Sequence, residues 1–267
     1  MFSRVRRGGA GNFARFLESM IKGRSGMAAF DFSGKQVLVT GGSAGIGHGI
    51  GVGFRDAGAD VIVTGTRAAD AYETDFTGLT YRQLDVCSDE EIAALAADVD
   101  RMDVVVNSAG IAIYGRKEYE IETFQKVLDV NLTGTMRVCN QFHDMIKDSG
   151  GSIINIASGA SFFATPGTPG YNSSKGGVAM LTKCLATAWG KEGVRVNAVA
   201  PGYVETAITK VVRENEKVYE ASVKKTPLRR WGTPEDMAGI TMFLASPYAS
   251  FITGQTIMVD GGMSLSI

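Results

Sequence analysis

The sequence predicts an α/β fold, a single doubly wound domain around a mostly parallel sheet of seven strands. Short apolar runs, typical of strands buried on both faces, alternate along the chain with longer helical patterns. Strands that alternate with helices imply parallel pairing, with helices covering both faces of the sheet. The length of 267 residues is enough for one large core.

The apolar runs and helical periodicities predict the individual elements. Strands are predicted at residues 36–40, 60–64, 80–84, 103–107, 152–157, 194–198 and 256–259. Helices are predicted at residues 46–57, 89–99, 122–146, 171–191 and 234–245. The segment 66–78 is short and polar, so we expect the crossover helix there to be truncated or missing.

Composition and charge exclude several classes of function. The net charge is −1, and removal of the basic residues 1–26 leaves the rest acidic, which argues against a nucleic-acid-binding surface. Three cysteines without a Cys-x-x-Cys pair favour a reducing compartment, so we expect a cytoplasmic protein. No apolar run is long enough to span a bilayer, and we expect no membrane partner. The two histidines, His48 and His143, lie in no metal-binding motif, and no metal is predicted.

Residues 1–26 differ in composition from the rest of the chain. They hold six basic residues and one acidic residue. We expect a disordered basic extension there, followed by the domain at residues 27–267. The stretch also resembles an organelle transit peptide, and an over-extended start with Met27 as the true initiator is a further alternative.

A glycine-rich turn joins the first predicted strand to the first predicted helix. Residues 40–47 read TGGSAGIG. Glycines let the backbone approach a ligand, and a helix N-terminus offers free N–H groups to a pyrophosphate. The turn therefore predicts a dinucleotide site, although a tight strand-to-helix turn would also use glycine. Gly49, Gly51 and Gly53 continue into the helix and predict close packing of that helix on the sheet.

Tyr171 and Lys175 lie four residues apart in a predicted helix and so share one face of it. A nearby cation favours the ionised phenol and lowers its pKa. The pair therefore predicts a tyrosine that exchanges protons as a general acid/base. The alternative is a packed ring beside a solvated amine.

Several motifs in order resemble the short-chain dehydrogenase/reductase family, over residues 33–264. They are TGGSAGIG, Asp85-Val86, Asn107-Ser108-Ala109-Gly110, Asn131, Ser158, Tyr171 with Lys175, and Pro201-Gly202-Tyr203-Val204-Glu205-Thr206. One position departs from the family pattern: Ser108 stands where a second Asn is common, a change that should leave the turn intact. The resemblance implies a Rossmann-type domain and a homo-oligomer, most often a tetramer.

The resemblance also implies an NAD(P)-dependent enzyme that transfers a hydride between nicotinamide and a carbonyl or secondary alcohol. Tyr171 would be the general acid/base. Lys175 would lower the Tyr171 pKa and bind the nicotinamide ribose. Ser158 would stabilise charge on the substrate oxygen, and Asn131 would hold a water that relays protons to Lys175.

Other positions are implied to hold the cofactor, with Asp85 and Val86 at the adenine. The full set is Gly41, Ser43, Gly45, Ile46, Gly47, Thr66, Arg67, Asp85, Val86, Asn107, Ala109, Gly110, Tyr171, Lys175, Pro201, Gly202, Val204 and Thr206. NADP is expected in preference to NAD. Gly65 stands where NAD-preferring members carry Asp, while Thr66 and Arg67 could bind a 2′-phosphate. The alternative for Arg67 is a solvated loop arginine.

Segments 159–170 and 203–231 are expected to line the substrate side. A small polyol, sugar or hydroxy acid competes with a 3-oxoacyl thioester as the substrate. Asp144, Asp148 and Thr187 stand where carrier-protein-dependent reductases present basic residues, so a carrier-protein partner is not favoured. A non-catalytic dinucleotide-binding sensor or scaffold is the alternative of another class, and the intact set of Asn131, Ser158, Tyr171 and Lys175 argues against it.

Overall fold

Seven parallel strands form the centre of the protein in a computed structural model, which describes residues 30–265. The strands are β1 Gln36–Thr40, β2 Asp60–Gly65, β3 Thr80–Gln83, β4 Val104–Asn107, β5 Ser152–Ile156, β6 Arg195–Pro201 and β7 Thr256–Val259. The predicted parallel sheet is therefore confirmed. Strand β6 continues beyond its predicted end, because Val199 and Ala200 are still buried and paired with their neighbours. The extension predicted at residues 1–26 lies outside the described residues.

Helices cover the sheet on both faces. They are α1 Gly45–Asp56, α2 Asp89–Ala97, α3 Ile121–Leu128, α4 Gly134–Ser149, α5 Pro169–Trp189, α6 Lys210–Arg213, α7 Glu216–Lys225 and α8 Pro234–Ala245. The long helix predicted at 122–146 is interrupted, since a π-helical turn over Asp129–Thr133 joins α3 to α4. The connection from β2 to β3 carries only the short 3₁₀ turn Ala69–Ala71, which confirms the missing crossover helix. None of the helices within residues 30–265 is long and apolar enough to cross a membrane.

The order of the strands positions the functional site. The order is β3-β2-β1-β4-β5-β6-β7, so the chain leaves β1 in one direction and later returns to β4 on its other side. The connections that follow β1 and β4 therefore diverge, and they open a crevice at the carboxyl ends of these two strands. The main core underlies the crevice, where Phe142 and Ile146 of α4 pack in one buried cluster with Val105 and Ile153 of the sheet.

Three glycines bring α1 close to its neighbours. A Cβ on Gly49 would lie 2.6 Å from the Cβ of Pro234, at the start of α8. A Cβ on Gly53 would likewise meet α8, whereas a Cβ on Gly51 would meet a valine of β2. The expectation that all three glycines pack α1 on the sheet is thus right for Gly51 and wrong for Gly49 and Gly53. These two glycines instead allow α8 to pack closely against α1.

We expect Gly49→Ala to destabilise the protein, because the added methyl group cannot be accommodated without moving α1 away from α8. Overpacking of this kind costs about 1–3 kcal/mol. The matched control is Gly239→Ala on α8, where a Cβ would meet nothing within 4 Å. That change should be neutral or stabilise by up to about 1 kcal/mol, because alanine is the better helix former. Denaturant unfolding measures both, and equal stability of the two variants would contradict the close helix contact.

Candidate active site

A cavity of about 570 Å³ opens in the crevice at the carboxyl ends of β1 and β4. The fold brings to it most of the residues singled out in the sequence. Those that line it are Gly41, Ser43, Gly45, Ile46, Gly47, Thr66, Asp85, Val86, Ala109, Gly110, Ser158, Tyr171, Lys175, Pro201, Gly202, Val204 and Thr206. Asn107, Asn131 and Arg67 are not among the lining residues, and each has a different position.

The two asparagines lie just outside the cavity. Asn131, fully buried in the π-helical turn, exchanges hydrogen bonds with the backbone of Ile111 at 2.8 and 2.9 Å. Its amide also donates to the Ser174 hydroxyl on α5 at 3.0 Å. Asn107 faces the core, where its amide donates to Asn155 Oδ1 of β5 at 2.9 Å. These bonds hold the strands, the π-helical turn and α5 in a fixed relation beneath the cavity.

The turns that follow β1 and β4 approach each other at the floor of the cavity. Gly41 has a φ of +65°, and a Cβ there would lie 2.6 Å from the Ala109 Cα. The Thr40 hydroxyl accepts hydrogen bonds from the backbone N–H groups of Ser108 and Ala109, at 3.2 and 3.3 Å. The turn is thus formed with Ser108 in place of the usual Asn, as expected.

The site fits a dinucleotide, since the first residues of α1 and the bare backbone of Gly41 line one cavity of about 570 Å³. At the far end, a Cβ on Gly110 would lie 3.3 Å from Asn131 Oδ1 and 3.5 Å from Lys175 Nζ. A side chain at Gly41 or at Gly110 would occupy part of the cavity. Among the described residues, no group of His, Cys, Asp and Glu side chains could hold a metal ion.

Tyr171 and Lys175 occupy the start of α5 with Ser158 opposite, in the turn after β5. Lys175 is 5% exposed, and its Nζ lies 5.8 Å from the centre of the Tyr171 ring. The ammonium group donates to the Ile156 carbonyl at 2.7 Å. The Ser158 hydroxyl lies close enough to the Tyr171 phenol to affect its pKa, and it accepts from the Ala160 N–H at 3.1 Å. Three polar side chains from two elements therefore meet at one end of the cavity.

Burial controls the protonation of this pair. It raises the pKa of Tyr171, with the Glu118 charge acting in the same direction and the Ser158 hydroxyl opposing it. Burial lowers the pKa of Lys175 to about 8. The expectation that Lys175 depresses the Tyr171 pKa is therefore not met in this structure. The physical reason is that removal from water disfavours the charged form of both groups.

The other end of the cavity lies beside the end of β2. Arg67 is exposed, and its guanidinium lies 4.2 Å above the ring of Tyr72, which lines the cavity. The Tyr72 oxygen accepts from the Arg67 N–H at 3.1 Å. Burial acts to raise the pKa of Tyr72, but hydrogen bonds from Ser43, Arg67 and Thr66 outweigh it and lower the pKa to about 7. Donors that stabilise negative charge thus converge at this end.

Gly65 has no room for a side chain in this backbone. A Cβ there would lie 2.6 Å from the Ser43 Cβ and 2.7 Å from the Tyr72 hydroxyl. An acidic residue at position 65, as in NAD-preferring members of the family, would displace Tyr72 or the glycine-rich turn. Tyr72 was missed in the sequence because a single tyrosine in the polar segment 66–78 forms no motif.

Sequence reasoning also missed other contributors to the site. Those that line the cavity without having been singled out are Leu84, Ile111, Lys126, Val130, Ile156 and Ala157, whereas Ala44, Gly65, Ser108, Ala207, Ile208 and Thr209 also line it and belong to motifs or segments that the sequence had indicated. Tyr114 lies near both Tyr171 and Tyr203, since the charges of these two tyrosines add to burial in raising the Tyr114 pKa to about 12. Glu118 is buried beside Tyr171, and nothing in its polar sequence neighbourhood signals burial.

Comparison with known proteins decides the family. A family model described as enoyl-(acyl carrier protein) reductase matches residues 41–264. The 2-dehydro-3-deoxy-D-gluconate 5-dehydrogenase of Bacillus subtilis (strain 168) is 40% identical over 249 residues, covering 88% of this chain and 96% of that protein. The chain belongs to the short-chain dehydrogenase/reductase family. It is an NAD(P)-dependent oxidoreductase.

Two further relatives show the range of the family around this chain. A 3-oxoacyl-(acyl-carrier-protein) reductase of Chlamydia muridarum is 36% identical over 243 residues, covering 86% of this chain and 97% of that protein. A gluconate 5-dehydrogenase of Burkholderia cenocepacia J2315, crystallised with NADP and tartrate, matches with a TM-score of 0.81 and 29% identity. That match covers 90% of this chain and 98% of the crystallised chain.

Proposed function

We propose that the protein interconverts a secondary alcohol and a carbonyl on a small polyol, sugar or hydroxy acid, with NADP preferred over NAD. The observation that carries the proposal is the meeting of Tyr171, Ser158 and Lys175 in the cavity that the glycine-rich turn also lines. The bound cofactor supplies or accepts the hydride. The protein supplies the proton and fixes the position of the substrate oxygen.

Tyr171 is the general acid/base in this proposal. Its raised pKa keeps the phenol protonated, so in the direction of reduction Tyr171 gives its proton to the substrate oxygen. Ser158, close to the Tyr171 phenol, donates to the same oxygen and stabilises its developing charge. With its pKa lowered to about 8, Lys175 can gain or lose a proton closer to neutral pH, with Asn131 holding a water of the relay beside it.

The end of the cavity near β2 supports the preference for NADP. Ser43, Thr66 and Arg67 there stabilise negative charge, as the lowered pKa of Tyr72 indicates. Among residues 30–265, no carboxylate forms an ion pair with Arg67, so its charge is available to a 2′-phosphate. The absence of space for an acid at Gly65 favours the same cofactor.

Phenol groups on the substrate side favour a polar substrate. Tyr114 lies close to both Tyr171 and Tyr203, and the hydroxyls of Tyr114 and Tyr203 can each bond a substrate oxygen. Relatives named as dehydrogenases of sugar acids support this class. The alternative, reduction of a 3-oxoacyl thioester, is favoured by the similarity to carrier-protein reductases. The exposed acids Asp144 and Asp148 disfavour an acidic carrier protein as the partner.

We also infer a homotetramer in a reducing compartment such as the cytoplasm. All three cysteines, Cys87, Cys139 and Cys184, are unpaired. Large apolar side chains remain exposed on the described surface, among them Met180 of α5 and Phe251. Exposed apolar side chains of this size are typical of homotypic interfaces.

Tyr171→Phe should abolish turnover while leaving cofactor affinity within about twofold, because the ring remains and only the transferable proton is lost. The assay follows absorbance of the reduced nicotinamide with a panel of sugar acids, polyols and 3-oxoacyl thioesters, for wild type and variant. Retention of kcat within about tenfold, which is 1.4 kcal/mol of barrier, would remove Tyr171 from the mechanism. Turnover of the thioesters alone would replace the sugar-acid assignment with the alternative.

Arg67→Ala should weaken NADP binding by about 5- to 30-fold and leave NAD binding nearly unchanged. An exposed charge-assisted contact contributes about 1–2 kcal/mol after screening by solvent. Arg82→Ala is the matched control, since Arg82 is an exposed arginine on the adjacent strand β3. Titration of NADP and NAD into the wild type and both variants gives six affinities, two for each protein. Equal losses for NADP and NAD would show that Arg67 is structural, and tighter NAD binding by the wild type would overturn the NADP preference.

The tetramer is tested by light scattering of the full chain at micromolar concentration. We expect a molar mass about four times that of the chain, because the exposed apolar surface is then buried between copies. A stable monomer at these concentrations would contradict the inference.

A further inference from the structure

We propose that Glu118 is a positioning residue for Tyr171, a role that rests on the acid/base function proposed above. Its carboxylate joins the loop after β4 to the first turn of α5. Oε1 accepts from the Ile113 N–H at 2.8 Å, and Oε2 accepts from the Tyr171 N–H at 2.8 Å. The side chain that binds the backbone of Tyr171 thus belongs to a segment 53 positions earlier in the chain.

Glu118 supplies the cap that the start of α5 otherwise lacks. The first N–H groups of a helix have no partner within the helix, and a nearby side chain usually accepts them. Among the described residues, the N-cap Thr168 makes no side-chain bond to the α5 backbone, and its hydroxyl is instead bonded to Thr165 and Asn172. A carboxylate at this end of a helix also interacts favourably with the helix dipole. The direction in which α5 presents Tyr171 therefore depends on Glu118.

A carboxylate suits this position better than the amide of the same shape. Glu118 is 0% exposed, and none of the cations within residues 30–265 forms an ion pair with it. Burial of such a charge is costly unless its hydrogen bonds are good. Glutamine could accept one of the two N–H groups, but its NH₂ would then face the other donor. The two donors therefore require an acceptor at both oxygens.

The charge of Glu118 acts on the protonation of Tyr171. After burial, the Glu118 charge is the interaction that raises the Tyr171 pKa, and it contributes to the raised pKa of Tyr114. The other titratable groups that face Tyr171 are Tyr114, from the loop after β4, and Lys175, one turn along α5. Glu118 thus has two separable effects on Tyr171. The length of its side chain lets the carboxylate hold the Tyr171 backbone in place, and its charge favours the protonated phenol.

Two variants separate these properties. Glu118→Gln removes the charge and one acceptor, whereas Glu118→Asp keeps the charge and shortens the reach. Glu120→Gln is the matched control, because Glu120 is exposed and undergoes the same substitution two residues away. The measurements on the full chain are hydrogen exchange of the Tyr171 amide by mass spectrometry, cofactor affinity, and the pH profile of kcat for alcohol oxidation.

In Glu118→Gln the Tyr171 amide should exchange at least about tenfold faster, and kcat should fall about tenfold with cofactor affinity nearly unchanged. The rising limb of the oxidation profile should move to lower pH, because loss of the negative charge lowers the pKa of the phenol that must ionise. Glu118→Asp should show the faster exchange without the movement of the limb. Glu120→Gln should behave as the wild type.

Unchanged Tyr171 exchange in Glu118→Gln would overturn the proposal. Equally fast exchange of all α5 amides in Glu118→Gln, together with an unchanged pH profile, would also overturn it. That result would mean that Glu118 only stabilises the helix. Hydrogen exchange requires no turnover. If the wild type reduces no carbonyl substrate, the proposed function fails, while the exchange of the Tyr171 amide still decides whether Glu118 holds it.

Discussion

The site depends on the close approach of two backbone turns, one after β1 and one after β4. At this point the bare Cα of Gly41 faces Ala109, and the Thr40 hydroxyl accepts two N–H groups of the opposite turn. Any side chain at position 41 would separate the turns and fill the cavity floor. Because all strands are parallel, the connections after the other strands reach the same edge of the sheet. The cavity is therefore a direct consequence of the strand order.

Around this floor, buried polar groups hold helix α5, which carries Tyr171 and Lys175, from several directions. Asn131 binds Ser174 from the π-helical turn, Lys175 binds the Ile156 carbonyl of β5, and Glu118 binds the Tyr171 N–H from the loop after β4. Each bond crosses between segments far apart in the chain. Buried polar groups are stabilising only when their partners are placed accurately, so these bonds also fix the position of Tyr171.

Burial gives the pair Tyr171 and Lys175 a character different from a surface ion pair. It raises the pKa of the phenol and lowers that of the amine, so that the charged form of each group is less favoured than in water. A protonated phenol is the form that can donate to a carbonyl oxygen. The lowered lysine pKa, about 8, brings proton exchange at Lys175 closer to neutral pH. In this structure the Tyr171 pKa is thus set by its surroundings, above all by desolvation, Ser158 and Glu118.

The sequence by itself determined the strands, most of the helices and most of the residues that line the cavity, but not the π-helical interruption within residues 122–146 or the helices α6 and α7. This is because apolar runs, the glycine-rich turn and the Tyr171–Lys175 spacing are local signals. Only the tertiary structure decided the roles of Glu118, Tyr72 and Asn107. Their partners lie on other segments, and a polar residue in a polar stretch carries no local sign of burial or of the group that it will meet. The direction of the Tyr171 pKa shift was likewise a tertiary outcome, because desolvation depends on everything that surrounds a side chain and not on its neighbours in sequence.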